Sequence, residues 1–237
     1  MHTPPNAKLV AGVWLPESEH HFEDMILNHS KVGIVDGKGT YQVHKLRAAL
    51  RHQPPWRRRV CLDVGAHVGL WAMWLVREFD HVHSFEPVPL HADIYPFNVD
   101  AANATLHRAA LGREAGTVSI TVPLDQTGNA HIAIEGRHPG TRHGGDDTDT
   151  WHGVPMAALD SFGFADVDLI KIDVEGTERA VIEGGRETIL RCRPNVVIEQ
   201  KGNEAAYGEP RDAAVRTLRA LGMEPLEVIS GDWILGW

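Results

Sequence analysis

The chain has 237 residues, which is the size of one large domain or of one domain with an added arm. With 43% hydrophobic and 23% charged residues, wholesale disorder is excluded. The net charge of −9 argues against nucleic acid or an anionic membrane surface as a partner. Cys61 and Cys192 lie far apart in apolar segments, which is typical of reduced thiols in the cytoplasm. We expect neither a signal peptide nor a membrane span, because the longest apolar run covers only residues 70–76.

The N-terminal region is predicted to be an arm. Residues 33–40 have the turn-rich pattern of a hairpin or of an extended arm. Apolar residues at helical spacing predict a short helix over 41–50, which the pair Pro54 and Pro55 would end. We therefore expect residues 1–57 to form an arm with a covering helix, and residues 58–237 to form the main domain.

From residue 60 onwards, apolar strands alternate with helices. The strands are predicted over 60–65, 81–87, 105–112, 167–176 and 194–201, and the helices over 68–79, 89–101, 177–191 and 211–222. Residues 117–123 alternate like an exposed antiparallel strand, and a closing hairpin is expected near the C-terminus. Residues 135–153 are rich in Gly, His and Asp and predict a long loop of the kind that forms lids.

Strand–helix repeats predict an α/β fold with a doubly wound parallel sheet, because parallel strands need crossover connections. Ligands in such sheets bind beyond the carboxyl ends of the strands, where the strand order reverses. Residues that directly follow each strand are therefore the candidates for a functional site.

A glycine loop follows the first of these strands. Asp63, Gly65, Ala66, His67 and Gly69 lie between that strand and the next helix, where free N–H groups favour an anionic ligand. The spacing G-x-x-x-G differs from the G-x-G-x-x-G of dinucleotide sites. It suits a cofactor with an amino-acid end: the carboxylate would meet the loop backbone, and Asp63 would face the ammonium group.

An acidic residue ends the second strand, 21 residues after Gly65. Glu86 can accept both hydroxyls of a ribose, as acids at this distance do in nucleotide-binding sheets. Together with the glycine loop, this favours S-adenosylmethionine over NAD. The alternative is that Asp63 only caps the helix and that Glu86 is a solvated strand end.

The segment DLIKIDVEG predicts a reaction centre. Lys171 and Asp173 share one face of a strand, Glu175 follows them, and Glu199 ends the next long strand at the same edge of the sheet. A lysine inside an apolar strand is costly unless it is paired or opens onto a cleft. These side chains could orient a substrate and remove a proton. Alternatively, an ion pair of Lys171 with Glu199 or Asp173 only fixes the sheet register.

Two further possibilities concern the same region. His131 lies beside small polar residues and is a second candidate for the base. The clustered carboxylates could instead hold Mg²⁺, but no tight carboxylate motif is present, so a metal site is not favoured.

These motifs resemble the FkbM-type methyltransferases over roughly residues 58–201. The resemblance lies in CLDVGAHVGLWA, HSFEPVP, NVDAAN with AALG, and above all in LDSFGFADVDLIKIDVEGTERAVIEGG. It implies the class I methyltransferase (Rossmann-like) fold with a seven-stranded, mostly parallel sheet and an antiparallel last strand. It also implies S-adenosyl-L-methionine as cofactor, with Pro87 and Ala110 among its contacts. His67 departs from the family, in which Asn is commoner at this position.

The resemblance implies O-methylation of a hydroxyl on a sugar, a glycan or another small or secondary metabolite. Asp173 or His131 would remove the hydroxyl proton, while Lys171 and Glu199 would orient the acceptor or Asp173. The family's acceptors vary, so the resemblance does not name one. The alternatives are an NAD-type oxidoreductase on the same sheet, although its third glycine is missing, and an inactive cofactor-binding module.

Overall fold

The computed structural model describes residues 3–28, 33–134 and 148–237. The N-terminal part contains two small hairpins and two helices. In chain order these elements are β1 (Ala7–Val10), β2 (Val13–Pro16), α1 (His21–Asn28), β3 (Ile34–Val35), β4 (Lys38–Gly39) and α2 (Val43–Arg51). The predicted hairpin within 33–40 and the predicted helix over 41–50 are both confirmed.

The remaining elements are strands and helices, and the last two strands form a hairpin. They are β5 (Val60–Val64), α3 (Ala72–Leu75), β6 (His81–Phe85), α4 (Pro89–Asn98), β7 (Ala104–His107), β8 (Ala110–Gly112), β9 (Gly116–Pro123), β10 (His131–Ile132), β11 (Thr148–Ala158), β12 (Val167–Ile172), α5 (Glu178–Gly184), α6 (Arg186–Cys192), β13 (Asn195–Glu199), α7 (Ala213–Ala220), β14 (Glu224–Ile229) and β15 (Asp232–Gly236).

Seven strands form the main sheet in the order β14-β15-β13-β12-β5-β6-β7. β15 runs antiparallel to both of its neighbours, and the other neighbouring pairs are parallel. The predicted mostly parallel sheet with an antiparallel last strand is therefore confirmed. The order reverses between β5 and β12, so the residues that follow these two strands meet at the switch point.

The sheet is buried on both faces because successive side chains of each central strand point to opposite sides. Cys61 and Leu169 face a core formed with the N-terminal arm, α3 and α4. Leu62 and Ile170 face a second core formed with α5, α6 and α7. These four side chains are fully buried.

One predicted strand proves to be two. Residues 105–112 were expected to be continuous, but β7 belongs to the main sheet and β8 to a second sheet with the order β10-β9-β11-β8.

The expected loop over 135–153 is also wrong in part, because residues 148–153 belong to β11, which pairs with β9. Residues 135–147 lie outside the described residues. The second sheet covers the carboxyl end of the main sheet near β6.

Two predicted helices are shorter than expected. The 68–79 segment has regular α-helix only over Ala72–Leu75 and turns on either side. The 177–191 helix is divided into α5 and α6 at Gly185. The Asp160 carboxylate accepts the N–H groups of Glu187 (3.0 Å) and Thr188 (2.8 Å), so it caps a new helix at this point.

The N-terminal arm packs into the first core. Val13 and Leu15 are fully buried there beside Phe22 and Ile26 of α1. The Asn98 side chain accepts the N–H of Trp14 and donates to its carbonyl oxygen, at 2.8 Å in both cases. The arm is therefore held by apolar burial and by hydrogen bonds. In the described part of the chain, no helix is long and apolar enough to cross a membrane.

Candidate active site

Two neighbouring cavities open at the carboxyl end of the main sheet. The first measures about 600 Å³ and lies between the glycine loop, the end of β6 and the second sheet. The second measures about 620 Å³ and lies between the glycine loop and the N-terminal arm. Both volumes include the open mouths. Four residues line both cavities, namely Gly65, His67, Gly128 and Asp173. They form the shared wall.

The glycine loop makes a close backbone contact that no other residue type allows. Gly65 has a φ of +77°, and a Cβ atom at this position would lie 1.9 Å from the carbonyl oxygen of Asp173. The N–H groups of Gly65 and Ala66 both donate to the carbonyl of Phe85 at 3.1 Å. Gly69 (φ +88°) packs against Tyr95 instead. Gly65 and Ala66 thus lie at the cavities, whereas Gly69 shapes the loop from behind.

Asp63 and Lys171 form a buried pair beneath this loop. They are directly opposite in the β5–β12 register, and Lys171 Nζ lies 3.3 Å from Asp63 Oδ1. Burial alone would lower the pKa of Lys171. The negative charges of Asp63 and then Asp173 together have the larger effect, so the pKa of the lysine is raised. Burial also raises the pKa of Asp63, and Lys171 offsets part of this effect. Asp63 is fully buried and lines neither cavity.

Lys171 also holds the loop itself. Its ammonium group donates to the carbonyl oxygen of Gly65 at 2.6 Å and to that of Val64 at 3.4 Å. The ion-pair alternative expected Glu199 or Asp173 as the partner of Lys171, whereas the structure pairs Lys171 with Asp63. The side chain still reaches the second cavity.

Glu86 organises the end of β6. Its Oε2 accepts the backbone N–H of His67 at 2.8 Å, and its Oε1 accepts that of Val88 at 2.9 Å. His91 Nδ1 lies 3.3 Å from the same Oε1. Glu86 lines the first cavity together with Pro87 and Ala110, as the sequence led us to expect. It is buried, so the solvated alternative for this residue does not fit the structure.

Two ring nitrogens beside Glu86 lack partners within the described ranges, namely His67 Nδ1 and His91 Nε2. The carboxylate of Glu86 accepts a hydrogen bond from His91 Nδ1, and Nε2 of that ring is left without a partner in the described residues. Buried polar atoms are nearly always hydrogen-bonded in complete structures. Glu86 and these two ring nitrogens therefore fit a ligand that carries hydroxyl groups.

A group of acids lies on the other side of the shared wall. Asp173, Glu175 and Glu199 bring carboxylate oxygens within 4.8 Å of one another, a spacing that could also hold a metal ion. Lys201 Nζ lies 2.7 Å from Glu199 Oε1. Burial, and then the charge of Asp173, raise the pKa of Glu199 to about 8. Burial, followed by the charges of Asp173 and Glu199, also raises the pKa of Glu175. Glu199 therefore retains a proton near neutral pH.

Helix α2 lies beside the acid group and contributes Lys45. Lys45 Nζ lies 2.6 Å from Asp232 Oδ1 and 3.9 Å from Glu199 Oε1, and all three side chains are buried. Tyr41 lines the second cavity, and burial and the nearby Asp173 raise the pKa of its phenol. Glu199 is therefore held between Lys45 and Lys201 and forms no ion pair with Lys171.

His131 is separated from the acids. It lines the first cavity, where its Nδ1 lies 2.8 Å from the carbonyl oxygen of Asn129. It does not line the second cavity. The structure thus brings Asp173, Lys171 and Glu199 to one region and places His131 with Glu86, Pro87 and Ala110.

Comparison with known proteins defines the family. Residues 63–225 match the model of the methyltransferase FkbM domain. The chain belongs to the FkbM methyltransferase family. Methyltransferase 1 of Beauveria bassiana is 23% identical over 158 residues, which are 58% of this chain and 63% of that protein. The chain thus spans less than two thirds of this relative.

Two proteins named FkbM are also similar to the chain. The 31-O-demethyl-FK506 methyltransferase FkbM of Streptomyces tacrolimicus is 28% identical over 201 residues, which are 69% of this chain and 74% of that protein. The structure of a methyltransferase FkbM from Methylobacillus flagellatus is 16% identical, with a TM-score of 0.45. The alignment covers 76% of this chain and 43% of the Methylobacillus flagellatus chain. The strand order and the family together show the class I methyltransferase fold.

Several residues of this site were not predicted from the sequence. His91 lies five residues after Glu86 on α4, a spacing that could have indicated a shared contact. The lining residues Phe22 and Tyr41, and the ion-paired Lys45, come from the arm. No local pattern indicated that they would reach the site, because only the tertiary packing of the arm brings them there.

Proposed function

We propose that this methyltransferase binds S-adenosylmethionine in the first cavity and methylates a hydroxyl oxygen of a small molecule or glycan in the second. The observation that carries the proposal is the position of Asp173 on the wall shared by the two cavities. A methyl group must cross between donor and acceptor at near-attack distance. The shared wall is where such a transfer can occur.

The residues of the first cavity fit the donor. Glu86, with His91 and His67 beside it, would hold the ribose hydroxyls, while Pro87 and Ala110 would pack against the base. The backbone of Gly65 and Ala66 would face the amino-acid end. When bound, the cofactor supplies an electrophilic sulfonium methyl group. Asp63, paired beneath the loop, supports this end through Lys171 and not by direct contact.

Asp173 would be the base. Its carboxylate would accept the proton of the acceptor hydroxyl while the new oxygen–methyl bond forms and the sulfur–methyl bond breaks. Lys171 keeps the glycine loop in place, and Glu199 with Glu175 shapes the electrostatic surroundings of Asp173. His131 would contribute to the cofactor pocket. The name of the Streptomyces tacrolimicus relative denotes methylation at an oxygen, which supports this choice of acceptor atom.

The base assignment is tested with Asp173→Asn. The amide keeps the volume but does not take up a proton at neutral pH, so turnover should fall about 10²–10⁴-fold while cofactor affinity stays within about threefold. Turnover is measured with tritiated S-adenosylmethionine and a panel of sugars and polyhydroxylated metabolites, and affinity by calorimetry.

The control is Asp100→Asn, which changes an exposed acid that lines neither cavity. Full turnover in Asp173→Asn, together with a lowered melting temperature, would contradict the base assignment and leave a structural role. A parent protein that binds the cofactor but methylates no member of the panel would favour the inactive module.

The metal alternative has its own measurement. If the carboxylates act without a metal, treatment with EDTA should leave methyl transfer within about twofold of the untreated rate. Abolition by EDTA with rescue by Mg²⁺ would turn Asp173, Glu175 and Glu199 into ligands, and the mechanism into activation of the hydroxyl by the metal.

A further inference from the structure

Glu19 of the N-terminal arm is a buried acid that the proposed reaction does not use. Both Glu19 and Thr127 are fully buried. The carboxylate of Glu19 accepts the N–H of Phe22 at 2.8 Å with one oxygen. With the other it accepts the N–H of Thr127 at 2.5 Å and the hydroxyl of Thr127 at 2.6 Å. The arm is therefore connected to the turn before β10.

The hydroxyl of Thr127 determines the state of a neighbouring ring. It has one hydrogen, and it donates that hydrogen to Glu19. Toward His67 Nε2, which lies 2.8 Å away, the oxygen therefore presents a lone pair. Nε2 of His67 must carry the ring hydrogen, and Nδ1 is left as a bare acceptor with no partner in the described part of the chain.

The surroundings of His67 keep this state in place. Its backbone has a φ of +52°, and its N–H is bound by Glu86, so the main chain is fixed. The ring lies between Phe22 and His91, with centroid distances of 5.0 Å and 4.0 Å. Burial, with His91 and Lys171 nearby, holds the pKa of the imidazole well below its usual range. The ring is therefore neutral, and its two nitrogens have different roles.

We propose that Glu19 and Thr127 are positioning residues that hold His67 in its Nε2–H form, so that Nδ1 accepts a hydrogen bond from the cofactor. The proposal rests on the proposed function, because it takes the donor group from the S-adenosylmethionine of the first cavity. The donor is either a ribose hydroxyl or the ammonium group. Through these contacts, the seating of the arm and the affinity for the cofactor depend on each other.

The test compares Thr127→Val with Thr127→Ser. Valine has nearly the same shape but no hydroxyl, whereas serine keeps it, and both keep the backbone N–H that Glu19 binds. Imidazole ¹⁵N spectra of the ligand-free proteins report the ring form, with the His67 signals identified by their loss in His67→Asn. We expect one Nε2–H form in the parent and in Thr127→Ser, and a mixture in Thr127→Val.

Calorimetry with S-adenosylhomocysteine and with 5′-methylthioadenosine then measures affinity. Thr127→Val should weaken the binding of S-adenosylhomocysteine about three- to tenfold, the effect of one hydrogen bond, and Thr127→Ser should not. The second ligand lacks the amino-acid end. An equal loss for both ligands assigns the donor to the ribose, and a loss for S-adenosylhomocysteine alone assigns it to the ammonium.

Three results would overturn the proposal: an unchanged ring form in Thr127→Val, unchanged affinity despite a changed ring form, or an equal loss in Thr127→Ser. Failure of the parent to bind either ligand would instead overturn the proposed function. The two failures are distinguishable because the spectra are recorded without a ligand.

Discussion

Glu86 has two functions that the same carboxylate must satisfy. It fixes the backbone of the glycine loop and of the turn before α4, and it lines the first cavity. A carboxylate has about four acceptor positions. Three are used by His67, Val88 and His91, so capacity remains for a ligand hydroxyl. Cofactor binding should therefore weaken when one carboxylate oxygen of Glu86 is replaced by a group that cannot accept a hydrogen bond.

Glu86→Gln should therefore weaken S-adenosylhomocysteine binding by at least about tenfold, the loss of charge-assisted hydrogen bonds worth about 1.5–3 kcal/mol. Calorimetry measures the affinity, and circular dichroism checks the fold. The matched control is Glu187→Gln on the exposed side of α6, which should bind like the parent. An unchanged affinity in a folded Glu86→Gln variant would remove Glu86 from the cofactor site.

At the residue scale, the sequence predicted positions better than partners. The strand ends placed Gly65, Glu86 and Asp173 at one edge of the sheet, and the structure brings them there. The predicted partner of Lys171 was wrong, because the alternation of side chains along a strand does not show which neighbouring strand supplies the opposite charge. That depends on the β5–β12 register, which places Asp63 opposite the lysine.

At the scale of the elements, most of the strands and helices could be predicted from periodicity. Periodicity does not show where one element is cut by contacts from elsewhere in the chain. The break between α5 and α6 depends on Asp160, which is 27 residues before its partner Glu187. Likewise β8 leaves the main sheet to pair with β11, whose partner residues lie more than 40 positions away.

The turn between β12 and α5 depends on a buried acid. Glu178 accepts the N–H of Gly176 at 3.0 Å and that of Val174 at 3.3 Å. Its other oxygen is buried without a hydrogen-bond partner in the described residues. Burial raises the pKa of Glu178 from 4.5 to about 7, although the backbone donors act in the opposite direction. The folded protein thus binds this proton more tightly than the unfolded chain does.

The sign of the pH effect follows directly. A raised pKa in the folded state contributes stability that is complete below 4.5 and is lost as the pH rises to about 7. Glu178→Gln mimics the protonated form. The variant should therefore avoid most of this loss, which amounts to about 3 kcal/mol in the free energy of unfolding. Urea titrations at pH 4.5 to 8 measure it. Parallel pH profiles for parent and variant would contradict the assignment, and Glu187→Gln should follow the parent.

At the scale of the molecule, the arm and the main sheet share one core. Leu15 of β2 is as fully buried as Leu62 of the central strand β5, and the buried residues around it continue into α3 and α4. The arm also supplies the wall of the second cavity through Phe22 and Tyr41. The division at residue 57 remains a prediction, but these contacts lead us to expect cooperative unfolding of both parts.

Leu15→Ala should therefore lower the free energy of unfolding by about 2–5 kcal/mol, as in a central core site. Exposed Leu9, at 57%, provides the control, and Leu9→Ala should change stability by less than about 0.5 kcal/mol. Circular dichroism and tryptophan fluorescence should give one coincident transition in urea. Two separate transitions, with Leu15→Ala moving only the weaker one, would show that the arm unfolds on its own.

The complete burial of Cys61 in β5 provides a natural reporter of opening. Burial raises the pKa of this thiol well above its usual range, whereas Cys192 is only half-buried. An alkylating reagent meets Cys61 only after the centre of the sheet has opened, and the labelling rate then follows the population of that open state. A ligand that binds only the folded protein lowers the population of the open state, and the decrease follows the fraction of protein that carries the ligand. Acceptors can thus be sought by protection of one sulfur atom, before any product has been identified.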